Sequence, residues 1–130
     1  MPGEMDAIMD ELVAREPLFH HRQLVHSADT FDLEAADDFW EVGASGRVYD
    51  RDTVKENILR RLADTAVDEM VVENWRTEDH QLRELGQNTY LLTYVLHGQG
   101  RVTRRATIWR HDAARGWHVL YHQGTVVAAD

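Results

Sequence analysis

The sequence predicts an α+β fold with helices first and an antiparallel meander after them. Three observations carry this. Apolar residues up to about position 66 recur at helical spacing, residues beyond about 69 fall into β-branched and aromatic runs, and short turns separate those runs. Connections of that length join antiparallel neighbours, because a parallel crossover takes a dozen or more residues.

Met5, Ile8, Met9, Leu12 and Val13 fall at i, i+3, i+4, i+7 and i+8, one apolar stripe on a first helix. Pro17 ends it, since proline has no amide proton and clashes with the preceding turn. A second helical piece is expected from Leu18 to about Val25. A turn over Ser27-Ala28-Asp29-Thr30 and a short helix over Asp32–Asp37 follow. Phe39-Trp40-Glu41-Val42 reads as a short strand, closed by the loop Gly43-Ala44-Ser45-Gly46. Asp50 or Asp52 can cap the next helix, with Thr53 and Glu56 at capping-box spacing. Val54, Ile58 and Leu62 form its apolar face. Met70-Val71-Val72, Tyr90 to Leu96, Arg105 to Trp109 and Trp117 to Tyr121 are the strand-like runs. Gly86-Gln87-Asn88, His97 to Gly100 and Asp112 to Gly116 supply the turns between them.

At 130 residues with 43% hydrophobic residues, four Trp and four Tyr, residues 1–130 make one domain with a sizeable core. No apolar run approaches the roughly 18 residues of a membrane span, and the acidic start Met1-Pro2-Gly3-Glu4-Met5-Asp6 does not read as a signal peptide. A cytoplasmic location is expected. The absence of cysteine excludes disulfides, thiolate metal sites and a cysteine nucleophile. The net charge of −9 argues against nucleic acid as a partner, since phosphate binding needs a dominant basic face. That charge is uneven: residues 1–80 sum to −12 and residues 81–130 to +3.

Two or three helices, a short strand, a capped helix and four long strands make the element order of a cone-shaped α+β barrel. Phe39-Trp40-Glu41-Val42-Gly43-Ala44-Ser45-Gly46-Arg47-Val48-Tyr49-Asp50-Arg51 resembles the strand-and-loop signature of a widespread group of uncharacterised bacterial domains. That group belongs to the nuclear transport factor 2-like, or SnoaL-like, superfamily. Ile108-Trp109-Arg110, Gly116-Trp117 and His122-Gln123-Gly124-Thr125 are similar to that group's last two strands. The resemblance spans nearly the whole chain. It implies a curved antiparallel sheet wrapped around helices, a cavity at the wide end of the cone, and a homodimer, often formed through the outer face of the sheet. The superfamily holds ketosteroid isomerases, dehydratases, epoxide hydrolases and polyketide cyclases beside non-catalytic modules, so fold does not choose an activity. The expectation is a protein that binds a small apolar or carbonyl-containing ligand. The alternatives are a cofactor-free acid–base enzyme acting next to a carbonyl, or a non-catalytic dimerisation module.

Glu41 is the first catalytic candidate. Among Phe39, Trp40 and Val42 its carboxylate is expected in poorly hydrated surroundings, which favour a general base. By resemblance to ketosteroid isomerases, counting back from Asp50 brings Glu41 near their catalytic aspartate, with Glu here in place of Asp. The other reading is structural, with Glu41 held by the loop amides of Gly43 to Gly46. His122 is the second candidate, as a proton carrier or oxyanion partner, the alternative being a histidine at an interface or bonded across strands. Alternation places it with His118 and Leu120 on one strand face. Arg105 shares a face with Thr107 and Trp109. If that face lines the cavity, Arg105 binds a carboxylate or enolate oxygen; if not, Arg104 takes the inner place, and the structural alternative is that one of the pair balances an interior acid such as Glu41. Trp40, Tyr94, Arg105 and Trp109 are the expected ligand contacts, the other reading of Tyr94 being a core role.

The eight histidines suggest no metal centre. His118 and His122, four residues apart at ~3.3 Å per residue, are about 13 Å apart on a strand, far beyond the ~2 Å reach of a zinc ligand. Gly98-Gln99-Gly100 lacks the helix that a phosphate loop needs, and Gly43-Ala44-Ser45-Gly46 is one residue short of a hydrolase nucleophile elbow. No cofactor is implied.

Overall fold

The computed structural model describes residues 2–64, 75–98 and 100–127. Helix α1, Pro2–Val13, turns its stripe inward: Leu12 is fully buried and Met5, Ile8, Met9 and Val13 pack beside it. The helix expected from Leu18 to Val25 shrinks to a single 3-10 turn, Leu18–His20. The ring of His21 explains part of this, for its Nε2 lies 2.9 Å from the Glu16 carbonyl oxygen and folds the chain back on itself. Leu18 and Val25 still reach the core.

Helix α2, Ala28–Glu34, begins where a turn was expected. Ser27 accepts from the Thr30 amide and the Thr30 side chain returns to the Ser27 amide. This reciprocal cap satisfies two otherwise orphaned donors and starts the helix early. Strand β1, Ala35–Val42, takes up the rest of the segment expected to be helical. Strand β2, Val48–Asp50, folds back on β1 through a loop in which the Gly43 amide donates to Arg47 O and the Gly46 amide to Gly43 O, both at 2.9 Å. Gly46 has φ +89°, a region that favours glycine. Asp50 caps α3, Arg51–Ala63, accepting from the Thr53 amide at 2.8 Å. Val54 and Ile58 are buried and Leu62 packs beside them. The run Met70-Val71-Val72 lies outside the described residues.

The remaining strands are β3, Trp75–Gly86; β4, Thr89–Gly98; β5, Arg101–Asp112; and β6, Gly116–Val126. The sheet order is β2-β1-β6-β5-β4-β3. Four junctions are antiparallel, as expected, but β1 runs parallel to β6, so the sheet is mixed, and it is not closed into a barrel. The parallel pairing is possible because the whole α3–β5 segment intervenes between its strands, a far longer connection than a crossover needs.

One face of this sheet packs on the helices. Tyr90, Leu92, Tyr94 and Leu96 of β4 and Thr103, Thr107 and Trp109 of β5 are buried there, with Phe31, Phe39, Val54 and Ile58 in the same core. We call this the inner face.

Candidate functional site

The parallel junction builds the site. Its register pairs Glu41 with His122, and the β5–β6 register pairs His122 with Thr107 and Gly124 with Arg105. Directly paired residues share a face, so Glu41, His122, Thr107 and Arg105 all lie on the inner face. His122 Nδ1 is 3.0 Å from Glu41 Oε2, and Arg105 Nη1 is 3.3 Å from His122 Nε2. Arg105 Nε also donates to Thr103 Oγ1 at 3.1 Å. These side chains are partly buried: 12% of the His122 and 21% of the Glu41 side chain is exposed.

The donors settle how the imidazole is used. A guanidinium donates and never accepts, so Nε2 faces it as an acceptor. Glu41 as a carboxylate accepts, so Nδ1 carries the hydrogen. This geometry fits the Nδ1–H tautomer of His122, with Glu41 on one side of the ring and Arg105 on the other. The loop amides of Gly43 and Gly46 are bonded to loop carbonyls, so the expectation that they hold Glu41 is replaced by the His122 pairing.

Gly124 makes the line geometrically possible. A Cβ there would sit 3.3 Å from Arg105 Nε and 3.5 Å from its Cδ and Cζ. Without one, the guanidinium lies flat over β6 and reaches His122. Arg61 on α3 adds a second cation. Burial lowers its pKa, the charge of Glu41 acts the other way, and Arg22 pushes it down again.

Tyr94 and Trp109 have another partner. Glu16, 3% exposed, accepts from Tyr94 Oη and from Trp109 Nε1, both at 2.9 Å, and from the Leu18 amide at 3.3 Å. Burial and the nearby Glu16 push the Tyr94 phenol well above its ordinary pKa, with Arg105 acting the opposite way. Both polar groups thus bond a core carboxylate, which gives Tyr94 and Trp109 the core role that was the other reading of Tyr94. Glu16 carried no signal in the sequence, since it sits between Arg15 and Pro17 outside any apolar stripe and meets partners 78 and 93 residues away.

Trp40, expected as a ligand contact, lies on the other face of the sheet. Strand alternation turns it away from Phe39 and Glu41, and it is 46% exposed, packed at 4.8 Å between ring centroids on Tyr121. His118 and His122 do not share a face either. The irregularity between Ile108 and Trp109 leaves Leu120 unpaired and sets His118 opposite Arg110 but His122 opposite Thr107. Arg105 takes the inner place and Arg104 is exposed.

A cleft of about 620 Å³ opens across β3 to β6. Tyr94 and Arg105 border it, but Gln81, Thr93, Val95, Arg104, Ala106 and Gln123 come mainly from the other face of the sheet. Glu41 and His122 are not among its lining residues. Among the described residues, no helix is long and apolar enough to cross a membrane.

No protein-family model and no curated protein matches the sequence. Solved structures do match in fold. One similar structure is an NTF2-like protein of unknown function in nutrient uptake from Rhodospirillum rubrum, with 17% identity, a TM-score of 0.64, and 94% of this chain and 98% of that one covered. Another is an NTF2-like protein from Cytophaga hutchinsonii, with 14% identity, a TM-score of 0.65, and 95% and 98% covered. A candidate ketosteroid isomerase from Parabacteroides distasonis matches at 11% identity with a TM-score of 0.61, covering 89% of this chain and 85% of that one. With helices packed on a six-stranded mixed sheet and overlap across nearly the whole chain, this protein has the nuclear transport factor 2-like α+β cone fold.

Proposed function

We propose that this protein binds a small, mostly apolar molecule through a carbonyl or anionic oxygen at the Arg105–His122–Glu41 line. One observation carries this reading: three polar side chains from three strands form one connected, partly buried line on an inner face whose other buried residues are mostly apolar. Few polar groups among apolar walls is the ordinary chemistry of a small-molecule site. Arg105 supplies the oxygen contact and Glu41 fixes the imidazole, beside a buried core that includes Leu92 and Phe39. The protein acts as a homodimer joined through the outer face, where Trp40 and Tyr121 offer exposed aromatic surface.

Soaking crystals with a library of small ketones, enones and acids tests this. Bound fragments against Arg105 and His122 are expected. Fragments confined to the cleft lined by Gln81 and Thr93 would move the ligand site to the other face.

A second reading is cofactor-free acid–base catalysis, favoured by the tautomer of His122. Nε2 takes a proton from the carbon beside a carbonyl and Glu41 stabilises the resulting imidazolium. Arg105 turns its N–H to the enolate oxygen, and Nε2 returns the proton to another carbon. Glu41 is then the orienting carboxylate and His122 the base, whereas the expectation from the sequence is Glu41 as the base and His122 or a tyrosine as the oxyanion partner. The fold is shared with a candidate ketosteroid isomerase, which accords with this chemistry. Turnover of a β,γ-unsaturated ketone that falls by about 10²-fold or more in His122→Gln supports it. Unchanged turnover in that variant rejects it.

A further inference from the structure

Arg105 has no carboxylate partner among the described residues. Arg15, Arg51, Lys55, Arg60, Arg76 and Arg115 each meet a carboxylate. Arg105 is half-buried yet has no ion pair among the described residues. Its contacts are a threonine hydroxyl and an imidazole nitrogen. Nη2 has no hydrogen bond among the described residues. In a chain with 23 acidic and 14 basic residues, an unpaired inward-facing guanidinium is not explained by a shortage of acids. Taking such a charge partly out of water is unfavourable unless an anion meets it.

The carboxylate on the line does not fill that role. Glu41 lies behind His122 and also offsets the charge of Arg61. A second unused polar group is close by. Thr107, 1% exposed, pairs directly with His122, and its hydroxyl has no partner among the described residues. Buried hydroxyls normally have one.

We infer that the ligand of this site is a monocarboxylate with an apolar body, its carboxylate seated on the open Nη edge of Arg105 within reach of the Thr107 hydroxyl. This rests on the binding role proposed above and narrows its ligand class. The planar guanidinium fork matches a carboxylate with two parallel hydrogen bonds. Glu41 sets the charge of the guest: with one negative group already on the line, a single negative charge balances Arg105, and a dianion such as phosphate is repelled.

The test is isothermal titration with phenylacetate and octanoate against their neutral amides, phenylacetamide and octanamide. The unmodified protein is expected to bind an acid at least about tenfold more tightly than its amide. That preference disappears in Arg105→Gln and survives in Arg105→Lys and in the exposed-site control Arg104→Gln. The acid-to-amide ratio is read on the unmodified protein, so it stands even if a variant fails to fold. Equal affinity for acid and amide overturns the carboxylate assignment but leaves the small-molecule site standing if His122→Gln weakens both. Failure of all four probes to bind the unmodified protein overturns both.

Discussion

His122 Nδ1 lies 3.0 Å from Glu41 Oε2 across the single parallel junction of the sheet, joining residues 81 positions apart in the chain. Residues so distant meet because β6 enters the sheet between β5 and β1. The same strand brings Gly124 beneath Arg105, so one element positions both ends of the polar line.

Gly124 is where the line can be disturbed without disturbing the fold. In Gly124→Ala the new Cβ meets Arg105 Nε at 3.3 Å, and the side chain must give way by a few tenths of an ångström. The backbone is in no glycine-requiring conformation, so the lost chain entropy of glycine favours alanine by about 0.4–1 kcal/mol. Thermal stability is therefore expected to hold or rise slightly while ligand affinity falls. Titration calorimetry beside a melting curve separates the two effects.

Glu16 is a stability element. Tyr94→Phe removes one donor and is expected to cost about 1–3 kcal/mol. Glu16→Ala strands the Tyr94 hydroxyl and the Trp109 indole N–H together in the core and is expected to cost about 2–6 kcal/mol. Urea unfolding measures both. A Glu16→Ala protein as stable as the parent would remove the carboxylate from the structural account.

Acid should weaken the fold through surface carboxylates. Asp32 is held below its ordinary pKa by its hydrogen bond with Lys55 and also by Arg51; Glu78 is lowered by His97 and Arg76. The Thr53 cap lowers Asp50 and the Arg115 amide lowers Asp112. A depressed carboxylate contributes stability above its unfolded pKa, about 3.9 for Asp and 4.3 for Glu, and loses it as pH falls through the folded value. The unfolding midpoint is thus expected to hold from neutrality to about pH 5 and to drop below about pH 4. Each contribution is small because these groups are exposed. In Asp32→Asn the drop becomes shallower, which melting curves across that range would show.

Trp40 reports on assembly. With 46% of its surface exposed on Tyr121, replacing it by glutamate puts a charge into the proposed dimer face. Sedimentation is expected to give a dimer for the parent and a monomer for Trp40→Glu, with the monomer still folded. A parent protein that sediments as a monomer contradicts the homodimer.

The elements with strong local patterns were legible in the sequence. The stripe ending at Leu12 and Val13, the Asp50 cap and the runs of β4, β5 and β6 all depend on nearest neighbours, which sequence spacing reports directly. Strand β3 was not legible: Trp75–Gly86 is mostly polar, as befits an edge strand, and its Asp79 with φ +56° breaks the alternation. Helix α2 was misplaced because Ser27 and Thr30 read equally well as a turn or a cap. At the site, Glu41, His122 and Arg105 were legible as residue types, but their pairing depends on strand order. Trp40 and Glu41 are neighbours in sequence and face opposite ways, while the core role of Glu16 is created mainly by tertiary contacts with Tyr94 and Trp109.

The central claim is that Arg105, His122 and Glu41 form one hydrogen-bonded unit in which Nε2 accepts from Arg105. A long-range proton–nitrogen correlation spectrum of the histidine side chains tests it directly, with His122 assigned through His122→Gln. At mildly alkaline pH, His122 is expected to show a protonated Nδ1 and an unprotonated Nε2, with the Nε2 resonance moving in Arg105→Gln and the Nδ1 resonance in Glu41→Gln. A His122 protonated at Nε2, or one whose nitrogens ignore both substitutions, would contradict it.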